Sequence, residues 1–232
     1  MKVAILLPGQ PRFTPGFDDF LSKLKGYTTA DWFVYFTNNN VNLVNNKPWA
    51  TIPSEWENFK QEWGQQQVQS MLPPNNFVRY FEISDADQQE FFEPKNVFQV
   101  GHTQHVFKMF YNLYRADQAR QNYETDNNFQ YDLVIRTRPE LGPHSDIDLS
   151  KLDIQENQII MPNNDWHGDP SANDQFAMGK SKAMSVYGNL YSCLKEYNDN
   201  GIKFHPETLV GHNLQKNNVT TMQGGFDAYL NR

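Results

Sequence analysis

The sequence predicts an α/β protein of one domain, a mostly parallel mixed sheet covered by helices. Strand-like and helix-like apolar patterns alternate along the chain, and the first strand candidate, VAILLPG, is apolar without a break. A chain of 232 residues, 38% hydrophobic and 14% aromatic, is also long enough to bury one full core. In such a sheet ligands bind beyond the carboxyl ends of the strands, so polar residues there are the candidates for function.

The elements follow in order. Residues 3–9 (VAILLPG) end in Pro8 and Gly9, as a central strand does. Thr14 followed by Pro15 marks a helix start, with Phe17, Phe20, Leu21 and Leu24 on one face. DWFVYFT (31–37) is the second strand. From Asn38 to Pro53 the chain is polar and broken by Pro48 and Pro53, which predicts a functional loop. Ser54 and Glu57 form a capping box for a helix carrying Trp56, Phe59 and Trp63. NFVRYFEI (76–83) is the third strand. Val106, Met109, Phe110, Leu113 and Tyr114 make a stripe on the clearest helix, from about His102 to Glu124. It leads to strands YDLVIRT (131–137) and NQIIMP (157–162). A polar loop, a helix around Met184 to Tyr197, a shorter helix from Pro206 and a closing VTTMQ segment complete the chain.

Composition excludes several classes. A net charge of −7 argues against a nucleic-acid partner, since tracking phosphates takes a basic excess. Cys193 is the single cysteine, which rules out an internal disulfide and a thiolate zinc cluster and suits a reducing compartment. The N-terminal run VAILL is too short for a signal peptide or a membrane span, so the expected location is the cytoplasm. There is no GxxxxGK[ST] or GxGxxG phosphate loop, no GxSxG elbow and no HExxH. An anionic ligand in this fold must therefore be held by side chains, with or without a metal.

Four polar clusters fall at strand ends. In LPGQPRF (7–13), Gly9 permits close backbone approach, and Arg12 can reach a phosphate or serve as a surface arginine on a tight turn. In LVIRTRPELG (133–142), Arg136 and Arg138 point to one side of an extended strand and Thr137 to the other. Two guanidiniums on a buried face need either an anionic ligand or an ion-pair network with residues such as Glu140. In NNDWHGDPSANDQFAMG (163–179) a polar loop turns abruptly apolar after Asp174 and Gln175, which makes those two the residues fixed by packing. Asp174 there can be a base, a sugar ligand or a helix cap. In HPETLVGHNL (205–214), Glu207 and His212 flank a short helical turn, and a neutral imidazole can bind manganese or zinc or simply face solvent.

Taken in order, MKVAILLPGQPRF, QHVFKMFYNLYRA, YDLVIRTRPEL, NDQFAMGKSKAMSVYGNLY and PETLVGHNL resemble glycosyltransferase-like proteins of the GT-A fold. The nearest likeness is to the WavE-like lipopolysaccharide-synthesis group and related proteins of bacteria, large viruses and phages. The resemblance implies a single α/β/α domain with a Rossmann-like nucleotide-sugar half (1–142) and an acceptor half (143–232), in the host cytoplasm if the protein is viral. It implies transfer of a sugar from a nucleotide-sugar donor to a hydroxyl acceptor, on a glycan or another carrier. A divalent cation, Mn2+ or Mg2+, usually bridges the donor diphosphate in that fold. Here the Asp-x-Asp position reads Arg138-Pro139-Glu140, so the implied metal contacts are Glu140 and His212. Gly9, Arg12, Arg136 and Arg138 fall to the donor; Asp165, Trp166 and Gln175 to the acceptor side; Asp174 and Arg138 to catalysis. The alternatives are a binding module for nucleotide or carbohydrate on the same fold, without turnover, and a nucleotide-sugar hydrolase.

Overall fold

A computed structural model of the chain describes residues 1–10, 13, 15–37, 64–84, 92–97, 103–163 and 172–230. The expected loop from Asn38 to Pro53 and the helix carrying Trp56, Phe59 and Trp63 lie outside these residues. So do Arg12, Asp165 and Trp166.

The strands are β1 (Val3–Gly9), β2 (Leu24–Lys25), β3 (Ala30–Thr37), β4 (Asn76–Ser84), β5 (Leu133–Arg136), β6 (Leu141–Pro143), β7 (Ile147–Asp148), β8 (Gln158–Met161), β9 (Ala177–Gly179), β10 (Thr220–Gln223) and β11 (Ala228–Leu230). The helices are α1 (Pro15–Lys23), α2 (Gln65–Ser70), α3 (Thr103–Asp126), α4 (Ser181–Gly188), α5 (Leu194–Asp199) and α6 (Pro206–Lys216). One seven-stranded sheet, in the order β10-β8-β9-β5-β1-β3-β4, carries the fold. Its pairs are parallel except those of β9, which runs antiparallel to both β5 and β8. The protein is thus α/β, with a mostly parallel mixed sheet between helices.

Alternation along β1 builds two apolar layers. Val3, Ile5 and Leu7 face α1 and α2 with Phe17, Phe20 and Val68, whereas Ala4 and Leu6 face α3 to α6 with Phe110, Met184 and Leu209. Both faces are covered, which is why β1 reads as an unbroken apolar run. Pro15 opens α1, where its missing N–H costs no bond; Pro206 does the same for α6.

The chain steps from β1 to β3 to β4 on one side, then returns to place β5 on the other side of β1. Strand order therefore reverses between β1 and β5, and in open α/β sheets ligands bind beyond the carboxyl ends of the strands at such a point. At the opposite end, Arg120 fastens α3 to α4. Its Nε donates to Asp117 at 2.8 Å, and Nη1 donates to Glu124 at 2.7 Å and to Ser181 Oγ at 2.6 Å.

Two expectations are corrected. The single helix expected around Met184 to Tyr197 is α4, a 3-10 turn (Asn189–Cys193) and α5. Gly188 ends α4 against α3, where a Cβ would lie 2.5 Å from Asp117 Oδ2. The apolar return after Gln175 is a strand, β9, wedged between β5 and β8.

Candidate functional site

The carboxyl ends of β1, β3 and β5 are framed by backbone first. Gly9 closes β1 at φ +130, a conformation that side chains disfavour, and a Cβ there would meet nothing within 4 Å. Asn112 of α3 donates from Nδ2 to Gly9 O and to Thr37 Oγ1, each at 3.2 Å, tying the carboxyl ends of β1 and β3 together. On β5, Arg136 is in register with Leu6, and the amide of Thr137 still donates to Leu6 O at 3.1 Å.

Arg136 follows the alternation of β5 and shares with Val134 the side of the sheet that faces α4. It is 1% exposed, and its Nε and Nη1 have no hydrogen-bond partner. Burial holds its pKa below the usual arginine value; Tyr187 and Asp174 oppose that shift and Arg138 adds to it. Arg138 is different. Its side chain is 21% exposed and ion-paired with Glu140, which is 4% exposed. Burial works against its charge, but Glu140 and then Asp174 outweigh it and hold the group above its ordinary value. The chain turns here, with Leu141 N donating to Arg138 O at 3.1 Å.

Asp174 is 6% exposed and attracts both arginines. It caps no helix, because β9 follows it. The side chain that closes the turn is Asn173, whose Oδ1 accepts from Gln175 N at 2.9 Å and Phe176 N at 2.8 Å. Gln175 beside it is half-buried. Tyr187 of α4 donates its hydroxyl to Asn173 O at 3.1 Å, and Ala172 N donates to Glu207 O at 3.0 Å. Tyr187 is itself pushed up, by burial first, with Arg136 opposing and Asp174 and Glu207 reinforcing. His205 Nε2 lies 3.1 Å from Glu207 Oε2. One polar line thus runs from the start of α6 through Tyr187 and Asp174 to the end of β5.

The structure brings Arg136, Arg138, Glu140 and Asp174 into one electrostatic group. His212 has other surroundings. It stands five residues beyond Glu207 on α6, about 140° round the helix axis, with its ring edge-on to Tyr197 at 4.7 Å. Burial and then Lys216 hold its pKa below the usual histidine value, against Glu196. Glu140 is not among the charges acting on it. Among the described residues no group of three His, Cys, Asp or Glu side chains is placed to hold a metal ion. An open recess of about 400 Å3 lined by Lys25, Asp148, Lys151 and Phe226 lies in the layer of α1, away from these groups.

Sequence reasoning missed Asn112, Asn173, Tyr187 and His205. Asn112 falls among the apolar residues of α3, and its polarity inside that buried stripe was the one available signal.

No helix among the described residues is long and apolar enough to cross a membrane. In comparisons with known proteins, no family model matches the chain and no curated protein matches it.

Proposed function

We propose that the protein is a nucleotide-sugar-dependent glycosyltransferase of GT-A type, acting on a hydroxyl of a glycan or similar acceptor. The observation that carries this is Arg136: a buried cation with unpartnered Nε and Nη1, beside Arg138 at the point where strand order reverses. An enclosed guanidinium with two nitrogens lacking hydrogen bonds is costly, and an anion such as a diphosphate offsets that cost.

In the proposed reaction the acceptor oxygen forms a bond to the anomeric carbon as the bond from that carbon to the phosphate oxygen breaks. The leaving nucleotide keeps the electron pair, and the acceptor proton goes to a base. Arg138, partly exposed and steadied by Glu140, meets the growing negative charge, while Arg136 supports it from behind at low dielectric. Asp174 is the base in this scheme. A metal shared by Glu140 and His212 does not fit, since one is ion-paired with Arg138 and the other sits by Lys216. In this scheme the arginines neutralise the diphosphate.

A second reading, a binding module without turnover, draws on the same Arg138–Glu140 pair, because a carboxylate already satisfying one arginine balances part of the site's charge. Incubation with UDP-, GDP-, CMP- and dTDP-sugars and a set of glycan acceptors separates these. Acceptor-dependent nucleotide release is the expected result. Release without acceptor points to a hydrolase, binding without release to the module, and neither overturns the donor site.

A further inference from the structure

We infer that Asn112 recognises the nucleobase, by accepting a hydrogen bond from a ring N–H of a uracil- or guanine-type base. This rests on the nucleotide reading above and deepens it. Asn112 is 2% exposed, and its amide orientation is fixed chemically: Gly9 O is only an acceptor, so the group facing it at 3.2 Å is Nδ2. Thr37 Oγ1, also at 3.2 Å, receives the second N–H. Both donors are used, and the remaining atom, Oδ1, is enclosed with no partner. A buried amide oxygen held by two anchors and left unpaired is an acceptor waiting for a donor.

Its place in the fold says which part of the ligand supplies that donor. Asn112 bridges β1 and β3, while the arginines leave β5 on the other side of β1. One and a half strand spacings is about 7 Å, which is on the scale of the reach from a diphosphate across ribose to the base. Thr37 adds specificity: its oxygen accepts from Nδ2 of the same amide, so its hydroxyl hydrogen is left to donate to the base edge that Oδ1 meets. A donor next to an acceptor complements an edge in which N–H adjoins C=O, as in uracil N3–H with O4 or guanine N1–H with O6.

The test compares UDP with 3-methyl-UDP and GDP with 1-methyl-GDP by calorimetric titration of the wild-type chain. Methylation of the ring nitrogen is expected to weaken the tighter of the two diphosphates by about 10- to 100-fold, the effect of leaving one buried acceptor unpaired. In Asn112→Ala the parent and methylated forms should bind within about twofold of each other. A wild type that binds parent and methylated forms alike overturns the role of Asn112 while leaving the nucleotide site intact. A wild type that binds no nucleoside diphosphate overturns both. Should Asn112→Ala fail to fold, the structure of the wild type with the tighter diphosphate decides: ring nitrogen within hydrogen-bond reach of Oδ1 supports the inference, and a nitrogen elsewhere ends it.

Discussion

Arg138 and Glu140 form an ion pair across Pro139, whereas Arg136, two residues earlier, has neither Nε nor Nη1 satisfied. The two arginines thus differ: Arg138, partly exposed just beyond β5, is paired within the protein, and Arg136, buried at the end of β5, has two unpartnered nitrogens. On the proposed reading, Arg138 and Glu140 stabilise this strand end and Arg136 meets the ligand.

Arg138→Ala is expected to act twice. It removes a phosphate contact, costing about 1.5–3 kcal/mol of donor binding, and it takes away the ion pair that Glu140 makes with Arg138, which lowers stability. Adding Glu140→Gln should restore much of the stability and none of the binding. Chemical denaturation and calorimetric titration of both variants check this; recovery of binding in the double variant would make Arg138 purely structural.

Asp174→Asn keeps the shape of the side chain but cannot take a proton. If Asp174 is the base, donor affinity should stay near the wild-type value while transfer falls by roughly 10²–10⁴-fold. Steady-state kinetics on the asparagine variant give the answer, and near-normal transfer would move the base elsewhere, with the His205–Glu207 pair next in line.

Arg120 belongs to the scaffold. Its guanidinium is held by Asp117, Glu124, Ser181 and Ser185, and Glu124 also accepts from Tyr131 N at 2.7 Å. Arg120→Ala would leave two carboxylates buried and uncompensated, a loss of about 3–5 kcal/mol. Thermal unfolding should show a large drop, with ligand affinity per folded molecule unchanged.

Alkaline pH should unfold the protein through its enclosed phenols. Burial pushes Tyr35 up to about 12 from 10.0. Its contribution is complete below pH about 10, where the phenol is protonated in both states. Above that the unfolded chain ionises and the folded one does not, so stability falls as pH rises towards about 12. Denaturation midpoints followed across this range, with Tyr35→Phe as control, test the sign; a wild-type midpoint that stays flat counts against it.

Much of this was legible in the sequence, and particular residues explain the rest. β1 and β3 were readable because a strand buried on both faces is a continuous apolar run, β4 because aromatic and β-branched residues recur along it, and α3 because its stripe is long. The charged end of β5 was legible as a polar cluster, and Arg136, Arg138, Glu140 and Asp174 do act on one another there. β9 has three residues, too few for any period, and only its neighbours β5 and β8 make it a strand. The break after Gly188 depends on Asp117, seventy-one positions earlier, and the role of Asn112 depends on Gly9 and Thr37. Such relationships arise from packing, which no local pattern encodes.

The most direct test of the donor site is calorimetric titration of nucleotide-sugars into the wild type and Arg136→Met. The methionine keeps much of the volume and removes the unpartnered charge. The expected result is binding by the wild type, a loss of roughly 10- to 100-fold in the variant, and an unfolding midpoint no lower than that of the wild type. Equal affinity in the two proteins, or no binding of any nucleotide-sugar to the wild type, would contradict it.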